Sequence, residues 1–217
     1  MTIRVALVDD QQLVRSGFRM LLESQDDLEV VAEAGSGEEA IVALESTPAD
    51  VVLMDVRMPG MDGLAATAAL AASTEARIII LTTFDLDEYV VAAIKAGASG
   101  FLLKDAPPDD LLAAIRRVHA GDAVLAPSAT RRLVDRLAVS LPEPADGQVL
   151  EDLTDRERQI LVLVARGLSN QEICSELHLA EPTVKTHIGR ILAKLGARDR
   201  AQAVVAAYES GLVRPQG

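Results

Sequence analysis

Apolar positions gather in five runs of strand length within the first half of the chain, at residues 3–8, 28–34, 51–54, 78–81 and 100–103. Apart from Arg4, Glu29 and Glu33 the runs are continuous instead of alternating and rich in Val, Ile and Leu. That pattern predicts strands buried on both faces of a sheet. Between them the apolar residues fall at helical spacing: Leu13, Phe18, Leu21 and Leu22 form one stripe, Ala40, Ile41 and Leu44 another, Leu111, Leu112, Ile115 and Val118 a third. Ser36 and Glu39 have the spacing of a capping box, which starts the second helix there. Strand followed by helix, five times over, predicts an α/β domain with a doubly wound, five-stranded parallel sheet, of about 120 residues.

The polar residues that end these runs matter as much as the runs. Asp9 and Asp10 follow the first, Asp55 the third, Thr82 the fourth and Lys104 the fifth. In an open parallel sheet the carboxyl ends of all strands reach one edge, so these side chains converge on one crevice. Taken singly, an Asp there caps a helix, a Thr suits a strand and a Lys is solvated. Taken together, three carboxylates and one ammonium suit a divalent cation with a phosphoryl group.

The second half has a different period. Residues 121–149 read as a linker with one helix, opened by Pro127-Ser128, with Leu133, Leu137 and Leu141 on one side and Arg131, Arg132 and Arg136 elsewhere; residues 141–147 break the pattern. Capping-box spacings follow at Thr154/Glu157, Ser169/Glu172 and Asp199/Gln202, each before an apolar helical stripe. Between the last two, residues 180–195 form a further helix with Val184, Ile188, Ile191, Leu192 and Leu195 inward and Lys185, Thr186, Gly189 and Arg190 outward. A cationic helix with small exposed residues suits a major groove. The expected domains are thus residues 1–120, 121–149 as linker, and 150–217, an all-α domain.

Charge sharpens the division. The chain has 217 residues and a formal net charge of -12. Residues 1–125 hold 9 basic and 21 acidic side chains, whereas residues 126–217 hold 12 of each, and residues 180–200 are locally cationic. An acidic protein with a cationic segment fits contact with a phosphate backbone through that segment alone. With no Trp, two Tyr and three Phe, the core is aliphatic. The single Cys174 allows no internal disulfide and reads as a small buried apolar residue. No charged segment followed by an apolar stretch opens the chain, and no apolar run nears the ~20 residues that span a bilayer. A cytoplasmic protein without a membrane anchor is expected.

Asp9-Asp10, Asp55 within Asp55-Val56-Arg57-Met58-Pro59-Gly60-Met61-Asp62-Gly63, Thr82 and Lys104 resemble the flavodoxin-like receiver domain of bacterial two-component response regulators. The resemblance implies that Asp55 accepts a phosphoryl group from a sensor histidine kinase. It further implies that Asp9, Asp10, Asp55 and the backbone carbonyl of Arg57 hold Mg²⁺, that Thr82 and Lys104 bind the phosphoryl oxygens, and that Phe101 with Thr82 forms the switch. Lys104 is followed by Asp105 where many receivers have Pro, so a cis bond is not expected there. Haloacid-dehalogenase-like phosphatases also use a strand-end Asp, but with a general acid two residues later. Arg57 stands at that position, which argues against an enzyme.

Leu153-Thr154-Asp155-Arg156-Glu157, the segment 167–173 and Thr183-Val184-Lys185-Thr186-His187 resemble the LuxR-type helix-turn-helix. Receiver plus this module is the NarL/FixJ architecture. By that resemblance the helix after Ala180 is the recognition helix for double-stranded promoter DNA. Lys185, Thr186 and Gly189 take groove-facing positions, Arg190 and Lys194 meet phosphates, and His187 is either a contact or a packed polar residue. Two departures stand out. Ala180 replaces a common Ser cap, and Gly189 has no side chain with which to read a base. The closing helix, with Val204, Val205, Tyr208 and Leu212, implies a homodimer on DNA with two half-sites. The alternative is a DNA-binding regulator that works without phosphorylation.

Overall fold

Successive side chains of a strand point to opposite faces, so an unbroken apolar run requires cover on both. In the computed structural model, which describes residues 2–83, 87–121, 124–125 and 152–213, that cover is present. Ile78, Ile79 and Ile80 are consecutive and all buried. The chain divides into two units, residues 1–125 and 126–217.

The first unit has strands β1 (Ile3–Val8), β2 (Leu28–Ala34), β3 (Val51–Asp55), β4 (Arg77–Thr82), β5 (Gly100–Leu103) and β6 (Val124–Leu125). Their order is β2-β1-β3-β4-β5-β6, and every neighbouring pair is parallel. Five of these match the five apolar runs. β6 falls within the expected linker, because two residues carry no periodicity to read. Helices α1 (Gln12–Glu23) and α5 (Pro108–His119) close one face. There Leu22, Leu111, Ile115 and Val118 cluster with Val5, Leu7, Leu53, Ile79 and Leu81. The remaining helices are α2 (Gly37–Ser46), α3 (Gly63–Ser73) and α4 (Asp87–Lys95). Val52, Met54, Ile78 and Ile80, which point the other way, are equally buried.

The sheet order reverses direction between β1 and β3, and this switch point opens a crevice at their carboxyl ends. Strand register aligns the ends that matter. Val8 pairs with Met54, Asp55 with Leu81 and Thr82 with Leu103. Behind β3, Gly63 opens α3 so close to the strand that an added Cβ would lie 1.8 Å from the Asp55 carbonyl oxygen. Its N–H donates to the Val56 carbonyl at 2.9 Å.

The described part of the second unit contains α6 (Asp155–Ala165), α7 (Asn170–Leu177), α8 (Glu181–Leu195) and α9 (Arg200–Glu209). Both reciprocal capping boxes form, at Thr154/Glu157 and Ser169/Glu172. At the third start the Asp199 carboxylate accepts from the N–H groups of Ala201 and Gln202, at 2.9 and 3.1 Å. Ala180 supplies no side-chain cap to α8, which begins instead with Glu181-Pro182. Pro presets φ in the first turn and the acid faces the positive helix end. His178 turns the chain between α7 and α8 in a left-handed conformation, with φ 53°. The helix expected from Pro127-Ser128 lies outside the described residues. No helix among the described residues is long and apolar enough to cross a membrane.

Candidate functional site

β1 delivers Asp9 to the crevice, and local contacts fix it there. Its Oδ1 accepts from the Gln11 N–H at 2.9 Å, while Arg15 Nη1 donates to its carbonyl at 2.5 Å. Asp10 is exposed beside it, and Asp55 ends β3 almost fully buried. Ligand atoms of Asp9, Asp10 and Asp55 all lie within 4.8 Å of one another. Lys104 Nζ bridges two of them, 2.6 Å from Asp9 Oδ2 and 2.9 Å from Asp55 Oδ2. The Lys104 N–H donates to the Thr82 carbonyl at 2.8 Å, so Lys104 and Thr82 are tied through the backbone. Thr82 and Phe101 are buried. The Lys104–Asp105 peptide bond is trans.

The electrostatics follow from burial and crowding. Burial pushes the Asp55 carboxyl above its usual range; the Lys104 ammonium opposes that shift and the Asp9 charge adds to it. Burial alone would lower Lys104, but its bonds to Asp9 and Asp55 outweigh it and raise the ammonium above its usual value. Three carboxylates and one ammonium leave two negative charges. That balance and the hard oxygen donors fit one divalent cation such as Mg²⁺.

The loop after Asp55 is braced by Glu38 and Tyr89, which sequence patterning does not single out. Glu38, in the first turn of α2, accepts the Met61 N–H at 2.8 Å. Arg57 reaches across to α4, where its guanidinium lies 5.7 Å from the centre of the Tyr89 ring and donates to the hydroxyl at 3.2 Å. Asp10, Arg57 and Tyr89 thereby line a cleft of about 340 Å³ at the rim of the crevice. A larger cavity, about 670 Å³, lies away from this chemistry and is lined by residues including Arg4, Asp50, Arg77 and His119. Two of its charges are mutually satisfied, since Arg4 and Asp50 pair at 2.8 Å.

In the second unit, α8 exposes Lys185, Thr186, Gly189 and Arg190. Lys185 pairs loosely with Glu181 at 3.0 Å, and Thr186 Oγ1 is held by the Pro182 carbonyl at 2.8 Å. Nothing lies within 4 Å of a Cβ added at Gly189, so this face is open. Two further residues of α8 are engaged within the unit. His187 is half-buried, and its Nδ1 is buried with no hydrogen-bond partner, which puts that edge of the ring against the domain. Lys194, expected on phosphates, donates to Glu157 Oε2 at 2.7 Å and to the Asp152 carbonyl at 2.9 Å. Nine residues from Lys185 is two and a half turns, which turns Lys194 about 180° away from that side chain, though it is one turn on from Arg190. The apolar stripe of α9 is also not free: Val204, Val205 and Tyr208 are buried, and the Tyr208 hydroxyl donates to the Ala165 carbonyl at 3.3 Å.

Comparison with known proteins assigns each unit to a family. Residues 5–116 match the response regulator receiver domain family, and residues 151–207 match the luxR family of bacterial regulatory proteins. The chain is 43% identical to the uncharacterized transcriptional regulatory protein YxjL of Bacillus subtilis, covering 98% of each. It is 38% identical to the response regulator VraR of Staphylococcus aureus, covering 99% of this chain and all of that one. Among solved structures, the response regulator ChrA of a heme-sensing two-component system is 41% identical, covers 98% of this chain and superposes with a TM-score of 0.54. With its strand-end acidic crevice joined to a helix-turn-helix module, the chain belongs to the NarL/FixJ-type two-component response regulators, transcriptional regulators that pair a receiver with a LuxR-type DNA-binding domain.

Proposed function

We propose that Asp55 accepts a phosphoryl group from a sensor histidine kinase and that this event controls binding of promoter DNA by α8. The observation that carries the reading is the Lys104 ammonium seated between Asp9 and Asp55 at the carboxyl edge of the sheet. In the transfer, an Asp55 carboxylate oxygen bonds to phosphorus as the bond from phosphorus to the donor nitrogen breaks, and that nitrogen keeps the electron pair. Anion approaches anion, so the reaction depends on charge placed beforehand. Asp9, Asp10, Asp55 and the Arg57 carbonyl would hold Mg²⁺, which neutralises charge on the phosphoryl oxygens when bound. Lys104 moves its hydrogen bonds from Asp55 to a phosphoryl oxygen, and the Thr82 hydroxyl donates to another.

Drawing Thr82 toward the acyl phosphate frees space beside Phe101, which links the crevice to the face of α4, β5 and α5. The phosphoryl group is a signal held on Asp55, since Arg57 offers no acid to release it as an enzyme product would require. We place this exchange in the cytoplasm, and we propose that two copies engage two half-sites of double-stranded DNA. The test is direct. With phosphoramidate and Mg²⁺ the intact chain gains one phosphoryl mass, which Asp55→Asn does not. Sedimentation on a duplex selected from a random pool then gives two chains per duplex. An Asp55→Asn chain that is modified equally well would refute the acceptor assignment.

A further inference from the structure

Among the cationic side chains of α8, Lys194 is set apart by its partners. Glu157 is buried, its side chain only 3% exposed, and one of its oxygens accepts three hydrogen bonds. These come from the Thr154 N–H at 2.9 Å, the Thr154 hydroxyl at 2.9 Å and Lys194 Nζ at 2.7 Å. The same ammonium donates to the Asp152 carbonyl at 2.9 Å. One carboxylate therefore caps the start of α6 and fastens the last turn of α8 to it. We propose that Lys194 is a positioning residue for DNA recognition: through Glu157 it sets the orientation in which α8 presents Lys185, Thr186 and Gly189, and it does not itself bind phosphate. The inference rests on the DNA-binding reading and assigns a second task to a residue expected at the interface.

Three physical points support it. Lys194 lies two and a half turns from Lys185, about 13 Å along the axis and about 180° around the helix from that side chain. Its charge sits at the negative end of α8, where the helix dipole holds it in place. Moving it to a phosphate would strand a buried carboxylate without its counterion, and a solvent-exposed contact does not return that loss. The Glu157 carboxyl, held down to about 2 mainly by Lys194 and the Thr154 N–H, stays ionised to keep the tie.

The experiment uses the full chain, treated with phosphoramidate and Mg²⁺, on two probes: a duplex that the parent selects from a random pool, and an unselected duplex of equal length. Affinities are measured between about 50 and 200 mM salt. Lys194→Met is expected to weaken the selected duplex about tenfold, as loss of one base contact does, and to leave the unselected duplex within about twofold. Its salt slope stays at the parent value, whereas Arg190→Met, at a phosphate-contacting position, lowers the slope by about 1. Lys194→Arg restores selectivity, and Glu157→Gln with Lys194→Met loses no more than either alone. If Lys194→Met does not fold, Glu157→Gln is measured the same way with the same expectation. A lowered salt slope with equal loss on both probes, or no loss on either, overturns the proposal. A parent that selects no sequence at all refutes the DNA-binding reading instead.

Discussion

Two carboxylates share one ammonium in the crevice, and that imbalance is what a phosphoacceptor needs and a stable core avoids. Lys104 satisfies Asp9 and Asp55 at once, so Asp55→Asn leaves a one-to-one pair with Asp9. Without added metal, the Asn variant is expected to melt higher than the parent while losing phosphoryl acceptance entirely; calorimetry in EDTA beside intact-mass analysis checks both. An unchanged or lowered melting temperature would show that the crevice is not strained by its charges. At the same scale, Phe101→Ala is expected to keep acceptance but blunt its effect on DNA binding, and a full response would exclude the aromatic from the switch. These crevice residues were legible in the sequence because each ends an apolar run. Tyr89 was not: its contact with Arg57 spans two elements, and a single Tyr in a helix signals nothing by spacing.

Strand periodicity was easier to read than helix periodicity in the first unit. The β-branched runs announced five strands, but α3 is so rich in Ala that no stripe marks its inner face, although Ala66, Thr67 and Leu70 are buried. Its start is set by Gly63, whose added Cβ would collide with the Asp55 carbonyl. Gly63→Ala is expected to destabilise the receiver by about 1–3 kcal/mol and to slow phosphorylation of Asp55, through displacement of that strand end. Denaturant unfolding and the rate with phosphoramidate test the two effects. In the second unit the capping boxes located helix starts well, because the pairing of Ser or Thr with Glu is local. What they did not reveal is that Glu157 has, besides Thr154, a second partner in Lys194, 37 positions away. Its carboxyl is held at about 2, against 4.5 when unfolded. A carboxyl lowered by folding stabilises above its unfolded value and loses that contribution as pH falls toward its folded one. The unit should lose about 3 kcal/mol between pH about 4.5 and 2, and Glu157→Gln should be less stable at neutral pH but lack this acid dependence. Amide exchange of α6 and α8 across that range reads it.

For the whole molecule, charge and domain pairing argue together. The receiver carries the excess of negative charge and the second unit is balanced, so binding to unselected duplex should be weak and should fall with added salt through a small number of cationic contacts. Of the apolar stripe expected to be spare, Val204, Val205 and Tyr208 are buried and Leu212, just past α9, is half-buried, because Tyr208 and its neighbours pack inward where spacing alone shows only an apolar face. The central claim is that a phosphoryl group on Asp55 changes how tightly α8 holds DNA. Its most direct test is the affinity for the selected duplex, with and without phosphoramidate and Mg²⁺, in the parent and in Asp55→Ala. A change of affinity in the treated parent alone is the predicted result; equal affinity in all four conditions would contradict it.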